Sequence, residues 1–231
     1  MKTRTQASPR RSALKPCLCA ALLSAVLLCV AQPAQAQTPV RAAEPPAQKQ
    51  DRGAQFLRFL AGGATGLIVH ELGHLTTGAA FEADPGFKRL DYGPVPFFAI
   101  THDTVSRRRE YLISSSGFFA QHVANEWLLW PSDGASLRAS SGPFRKGWLT
   151  FNLATSAVYT AAALGTFGPP ERDTRGMAAG AGRDGVPEPV IGVLILVPAA
   201  LDGLRYMKND PAWARWTSRA VKAGLVLIAV R

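Results

Sequence analysis

The sequence has little cysteine, histidine or charge. Its three cysteines, Cys17, Cys19 and Cys29, all fall within the first 30 of 231 residues. A product cleaved after residue 36 therefore has none, which excludes disulfides and thiolate metal sites from it. Charged residues make up 18% of the chain against 47% apolar. That balance excludes disorder for most of the length, because enough apolar surface exists to offset the entropy of ordering. The formal charge of +10 is no nucleic-acid footprint. Lys2, Arg4, Arg10, Arg11 and Lys15 carry half of it before residue 36, and no basic face interleaved with aromatics follows. Internal repeats, heptads and a nucleotide-binding glycine fingerprint are also missing.

Residues 1–36 read as an export signal or N-terminal anchor: a basic start, an apolar run from Cys17 to Ala31, and a small-residue site at Ala34-Gln35-Ala36. Residues 37–53, rich in Pro, Ala and Gln, read as a linker. From residue 54 to 231 the apolar stretches lengthen, at 54–81, 147–168, 189–201 and 223–230, with a more polar segment at 111–130. Charges gather between them, at Arg107-Arg108-Arg109-Glu110, Arg145-Lys146 and Arg172 to Arg183. Spans of roughly 20 apolar residues separated by charged loops predict an all-α, multi-pass transmembrane bundle of four to five helices in the cell (inner) membrane. Gly62 and Gly66 form a small-x-x-x-small pair that lets helices approach closely in lipid. Exported in the usual orientation, the first helix would run inward and bring Arg107–Arg109 to the cytoplasmic headgroups.

His70-Glu71-Leu72-Gly73-His74 is an H-E-x-x-H motif at the end of an apolar stretch. On a helix, positions i and i+4 share a face, so both imidazoles reach one zinc ion while the glutamate serves as general base toward a metal-activated water. With four His and seven Glu in the chain, chance ordering would produce the motif in roughly two sequences per thousand, so an accidental match is the poorer reading. Two His and a Glu buried in an apolar helix would cost several kcal/mol unless satisfied, and a metal satisfies all three.

Zinc needs a third protein ligand and an open fourth position. Asp202, in Leu201-Asp202-Gly203, is the first acid after thirteen uncharged residues, and Pro198 is placed to break the helix and aim it. Glu126, one turn from His122, is the alternative. Ligation by Glu126 would resemble a glutamate-zincin.

The two motifs, His-Glu-Leu-Gly-His at 70–74 and Leu-Asp-Gly at 201–203, resemble those of the site-2 protease family of intramembrane zinc metalloproteases. The resemblance implies His70, His74 and Asp202 as zinc ligands, Glu71 as base, a membrane-spanning protein as substrate and the lipid bilayer as surroundings. It further sets Ser116-Gly117-Phe118 against the family's small-Gly-Pro element, and Asp91 to Phe98 against a short re-entrant or β segment after the first motif helix. The chain departs from the pattern in keeping Pro198 alone before Leu-Asp-Gly, and in offering two candidate helices between the motifs where the family has one. A catalytically inactive homologue that binds partner helices is the non-enzymatic reading. His102, beside Asp103, reads as a residue without a role, against the alternatives of a surface residue or a hydrogen-bond donor to the transition state, and Thr76, Thr77, Gln121 or Asn125 as a path for water.

These alternatives separate on one measurement, zinc per purified chain. Loss with His70→Ala and Asp202→Ala but not Glu126→Ala is the outcome expected of a site-2 protease-like site, whereas loss with Glu126→Ala indicates the glutamate-zincin.

Overall fold

The computed structural model describes residues 51–90, 97–130 and 136–228. By its internal contacts the chain divides into Met1–Ala47 and Gln48–Arg231, and all described residues belong to the second unit. The signal at 1–36, most of the linker, and Asp91 to Pro96 lie outside them. The described residues form seven helices and one hairpin: α1 (Arg52–Ala80), β1 (Gly86–Leu90), β2 (Phe97–Thr101), α2 (Arg107–Leu128), α3 (Leu137–Ser140), α4 (Pro143–Gly165), α5 (Asp173–Gly180), α6 (Glu188–Met207) and α7 (Ala212–Ile228).

α1 begins where the Asp51 side chain accepts a hydrogen bond from the Gly53 N–H at 2.9 Å, satisfying a donor left free by the helix start. Its buried residues are Gly62, Gly66, His70, His74 and Gly78, one every four positions. The two upper glycines meet α4. A Cβ on Gly62 would collide with the Phe144 carbonyl oxygen, and one on Gly147 of α4 with that of Phe59. The crossing is thus reciprocal, each backbone lying in the other's glycine notch, as the sequence pair Gly62/Gly66 suggested. Gly66 lies under the rings of Phe151 and Trp148.

α2 is buried over most of its length and lies between α1 and the short α5. α5 carries its own small pair, Gly176 and Gly180, whose hypothetical Cβ atoms would strike Ser114 and the Tyr111 and Arg107 backbone on α2. α4 and α6 join through Thr160, which donates to the Gly192 carbonyl at 2.8 Å. Tyr111 donates to the Leu225 carbonyl at 2.8 Å and so ties α2 to α7. The core among these elements is Tyr111, Phe118, Met177, Ile191 and Ile195. β1 and β2 pair antiparallel, Gly86 opposite Thr101 and Leu90 opposite Phe97. A β element therefore does follow the first motif helix.

One expectation needs correction. Pro198 does not break its helix: α6 runs unbroken through it. Proline forfeits one backbone hydrogen bond, and a helix held by neighbours tolerates that loss. Among the described residues, one helix, α6, is long and apolar enough by length and composition to cross a membrane. The other long helices also bury polar side chains, among them Asn125 on α2, Asn152 on α4 and Lys222 on α7, while Arg52, Arg58, Arg107, Arg108, Arg109 and Lys146 stay exposed.

The inward polar groups centre on Asp202, which is fully buried. Its carboxylate accepts from Asn125 Nδ2 (2.9 Å), Arg205 Nη1 (3.0 Å), Ser218 Oγ (2.7 Å) and Lys222 Nζ (2.8 and 3.0 Å). Glu126 shares Arg205 and Lys222, both at 2.7 Å, and adds Arg219 at 2.9 Å. Removing one partner of a buried pair leaves the other's charge uncompensated. Asp202→Ala is expected to lower stability by about 3–5 kcal/mol, and Gly147→Ala by about 1–3 kcal/mol through overpacking; thermal unfolding of the purified chain measures both.

Candidate metal centre

His70 and His74 occupy successive steps of the buried row of α1, so their rings face the same way, 4.8 Å apart between centroids. Their Nε2 atoms lie 3.1 Å apart. The carboxylate that meets them is Asp173, the first residue of α5. Its Oδ2 is 3.0 Å from His70 Nε2 and 3.3 Å from His74 Nε2. Three lone-pair donors thus converge on one point, an arrangement that can hold a metal ion. Burial alone would raise the Asp173 carboxyl, but the charges of His74 and His70 and their hydrogen bonds outweigh it and hold the group well below the usual carboxylate range.

The surroundings fix these donors. His74 Nδ1–H donates to the Ile113 carbonyl at 2.8 Å, which leaves the Nε2 lone pair directed at the convergence point. Ser116 donates to the same carbonyl. Gly117 provides the room: a Cβ there would lie against His74 Nε2 and 2.7 Å from His70 Nε2, filling the space between the donors. Gly73 in turn lets α1 approach the Ser116 carbonyl. The Ser116-Gly117 element therefore does lie at the histidine pair. His70 Nδ1 is buried without a hydrogen-bond partner.

Asp173 is anchored from both sides. Arg172 makes a two-pronged contact with Glu188 at the start of α6, both bonds 2.6 Å, and Thr174 donates to the same carboxylate at 2.6 Å. Lys88 of β1 pairs with Glu171, whose carboxyl the lysine holds below its ordinary value. The hairpin and α6 thus grip the residues flanking the carboxylate.

The structure brings together His70, His74 and, beside them, Glu71, which lines a cavity of about 310 Å³ with His74 and Asp173. It does not bring Asp202 or Glu126 to the histidines. Asp202 has both oxygens occupied by donors from α2, α6 and α7. Three cations, Arg205, Arg219 and Lys222, face the two carboxylates, a field that repels a metal ion. His122 is buried in α2 and contacts neither histidine of the motif. His102 is not a bystander on open surface: it lines a second cavity, about 190 Å³, with His74, Glu110 and Asp173. Neither cavity is lined by Thr76, Thr77, Gln121 or Asn125. Thr76 instead donates to the Leu72 carbonyl of its own helix, and Asn125 is committed to Asp202 and Asn152.

Asp173 was hidden in the sequence by its neighbours, since Arg172, Asp173 and Arg175 together look like a solvated loop. A usable signal lay just after it, in Gly176-Met177-Ala178-Ala179-Gly180, a second small-x-x-x-small pair that marks a short helix docked closely on another.

Comparison with known proteins leaves the chain alone: no family model, no curated protein and no solved structure matches it.

Asp173→Ala is expected to abolish metal retention, whereas Asp202→Ala retains the metal despite its cost in stability; elemental analysis of folded protein separates the two. Gly117→Ala, which crowds both Nε2 atoms, and Glu188→Gln, which loosens the grip on Arg172 and Thr174, are each expected to weaken binding about 10–100-fold in a competition titration with a chromogenic chelator.

Proposed function

We propose that the chain is a membrane-embedded zinc metallopeptidase that uses His70, His74 and Asp173 as ligands and Glu71 as general base. The observation that carries this reading is the convergence of two imidazole Nε2 atoms and one carboxylate oxygen at separations of 3.0–3.3 Å. Ligands about 2.0–2.1 Å from a tetrahedral zinc lie roughly 3.3 Å from one another, so these three fit one face of such a site. The donor set supports zinc over calcium or magnesium, which take oxygen ligands. The open cavity beside the triad supports catalysis over a closed structural site.

When bound, zinc supplies Lewis acidity at a substrate carbonyl and lowers the pKa of a water toward neutrality. Glu71 stands in the cavity that substrate and water enter. It accepts a proton from the attacking water as the C–O bond forms at the carbonyl carbon. It then delivers that proton to the departing nitrogen as the C–N bond breaks. The Ile113 carbonyl holds the His74 imidazole in place throughout.

Membrane embedding is supported by the distribution of polarity. α7 buries Ser218 and Lys222 while exposing Trp213, Trp216 and Leu227. α1 exposes Phe56, Leu57, Leu60 and Ile68, and α6 exposes Val190, Val193 and Val197. A protein in water orients such faces the other way, and apolar patches of this extent mark contact with lipid or a partner. α1 and α4, with 29 and 23 residues, are also long enough to cross the roughly 30 Å hydrocarbon layer alongside α6. A membrane-spanning segment presented laterally to the site is the substrate this placement favours.

Glu71→Gln is expected to lower peptide-bond hydrolysis by about 10²–10⁴-fold while zinc content stays near one per chain. An intact rate in this variant would remove Glu71 from the chemistry, whereas a wild-type chain that holds zinc and hydrolyses nothing would favour the inactive, partner-binding reading.

A further inference from the structure

The two cavities at the triad differ in character and meet there. Both are lined by His74 and Asp173, with Ile100 of β2 contributing to each. The larger runs between the hairpin and α4. Its walls are Leu90, Phe98, Val158, Ala162 and Phe167, with Glu71 at the triad end. The smaller is bounded by Thr101, His102, Glu110 and Ser114. Phe98, Val158 and Phe167 each leave more than a third of their surface uncovered. Large apolar groups around a concave site favour an apolar ligand, because a polar side chain seated there would lose its hydrogen-bond partners.

Glu71 gives the two cavities a direction. It lines the apolar cavity and takes no part in the polar one. The group that returns the proton to the departing nitrogen must lie on the side from which that nitrogen leaves. The residue contributing the nitrogen therefore occupies the apolar cavity, and the residue contributing the carbonyl faces the polar one. We infer that the cavity between β2 and α4 selects the residue on the amine side of the scissile bond and takes a bulky apolar side chain, Phe, Leu, Ile or Met. Ala162, small and buried, lines its wall. This inference rests on the peptidase reading.

The test uses the full chain in mild detergent, loaded with zinc, and detergent-solubilised apolar peptides about 20 residues long that vary at one central position. Mass spectrometry identifies the first residue of each new amino-terminal end. Phe, Leu, Ile and Met are expected there at least about tenfold above Gly, Asp and Lys. Ala162→Phe, which fills the cavity, shifts the preference to Ala and Gly with zinc content unchanged. Phe98→Ala, which widens the mouth and is the gentler change, extends it to Trp. New ends without preference, with polar residues, or with the apolar preference on the carbonyl side overturn the assignment and leave the peptidase reading standing. A zinc-loaded wild-type chain that cuts none of the peptides overturns both.

Discussion

The buried row along α1 is the constraint on which the rest of the structure depends. Gly62, Gly66, His70, His74 and Gly78 repeat every four residues, whereas an α-helix turns every 3.6. Each step therefore advances the row by about 40° around the helix. The stripe winds, and successive members meet different partners: the glycines at 62 and 66 meet α4, the histidines meet α2 and α5, and Gly78 meets Pro85 just before the hairpin. One helix thus serves as a packing surface at one end and as a ligand holder in its middle. The close α1–α4 crossing sets the depth at which the imidazoles lie, and the notch at Gly117 keeps a side chain from occupying the space they face.

A second organising feature is the cationic cluster around Asp202 and Glu126. It joins α2, α6 and α7 by charge. Charge pairing of this kind inside the bundle helps specify which helices meet. The result is a division of labour between two sets of ionisable groups. Those near Asp202 face three cations, while His70, His74 and Asp173 pair with one another and with backbone.

Much of this was legible in the sequence and some was not, for physical reasons. The histidine pair and Glu71 could be read because helical periodicity alone brings positions i and i+4 together. The Gly62/Gly66 contact and the five long helices followed from the same local regularity. The third ligand could not be read that way, because nothing local relates residue 173 to residue 74. Asp202 looked suitable as an acid in an apolar setting and Glu126 for its one-turn spacing from His122, yet a buried acid demands compensation, and Lys222, Arg219 and Arg205 supply it from elements near in space. An acid buried among apolar residues predicts a partner without saying whether the partner is a metal or a lysine. The same ambiguity made Arg172 and Arg175 look like solvated loop charges, when Arg172 is pinned to Glu188 in support of the ligand between them.

The way Asp173 is held also bears on biogenesis. The two imidazoles are set as soon as α1 forms, about a third of the way along the chain. The carboxylate arrives only once the hairpin, α4 and the start of α6 exist to grip its neighbours. During synthesis the early half of the site is thus a bidentate, weakly chelating pair, and a high-affinity site comes into being only with nearly complete tertiary structure. Under the proposed function, metal capture then reports that folding has finished, and a chain stalled or misassembled between α2 and α6 carries the two histidines without their carboxylate.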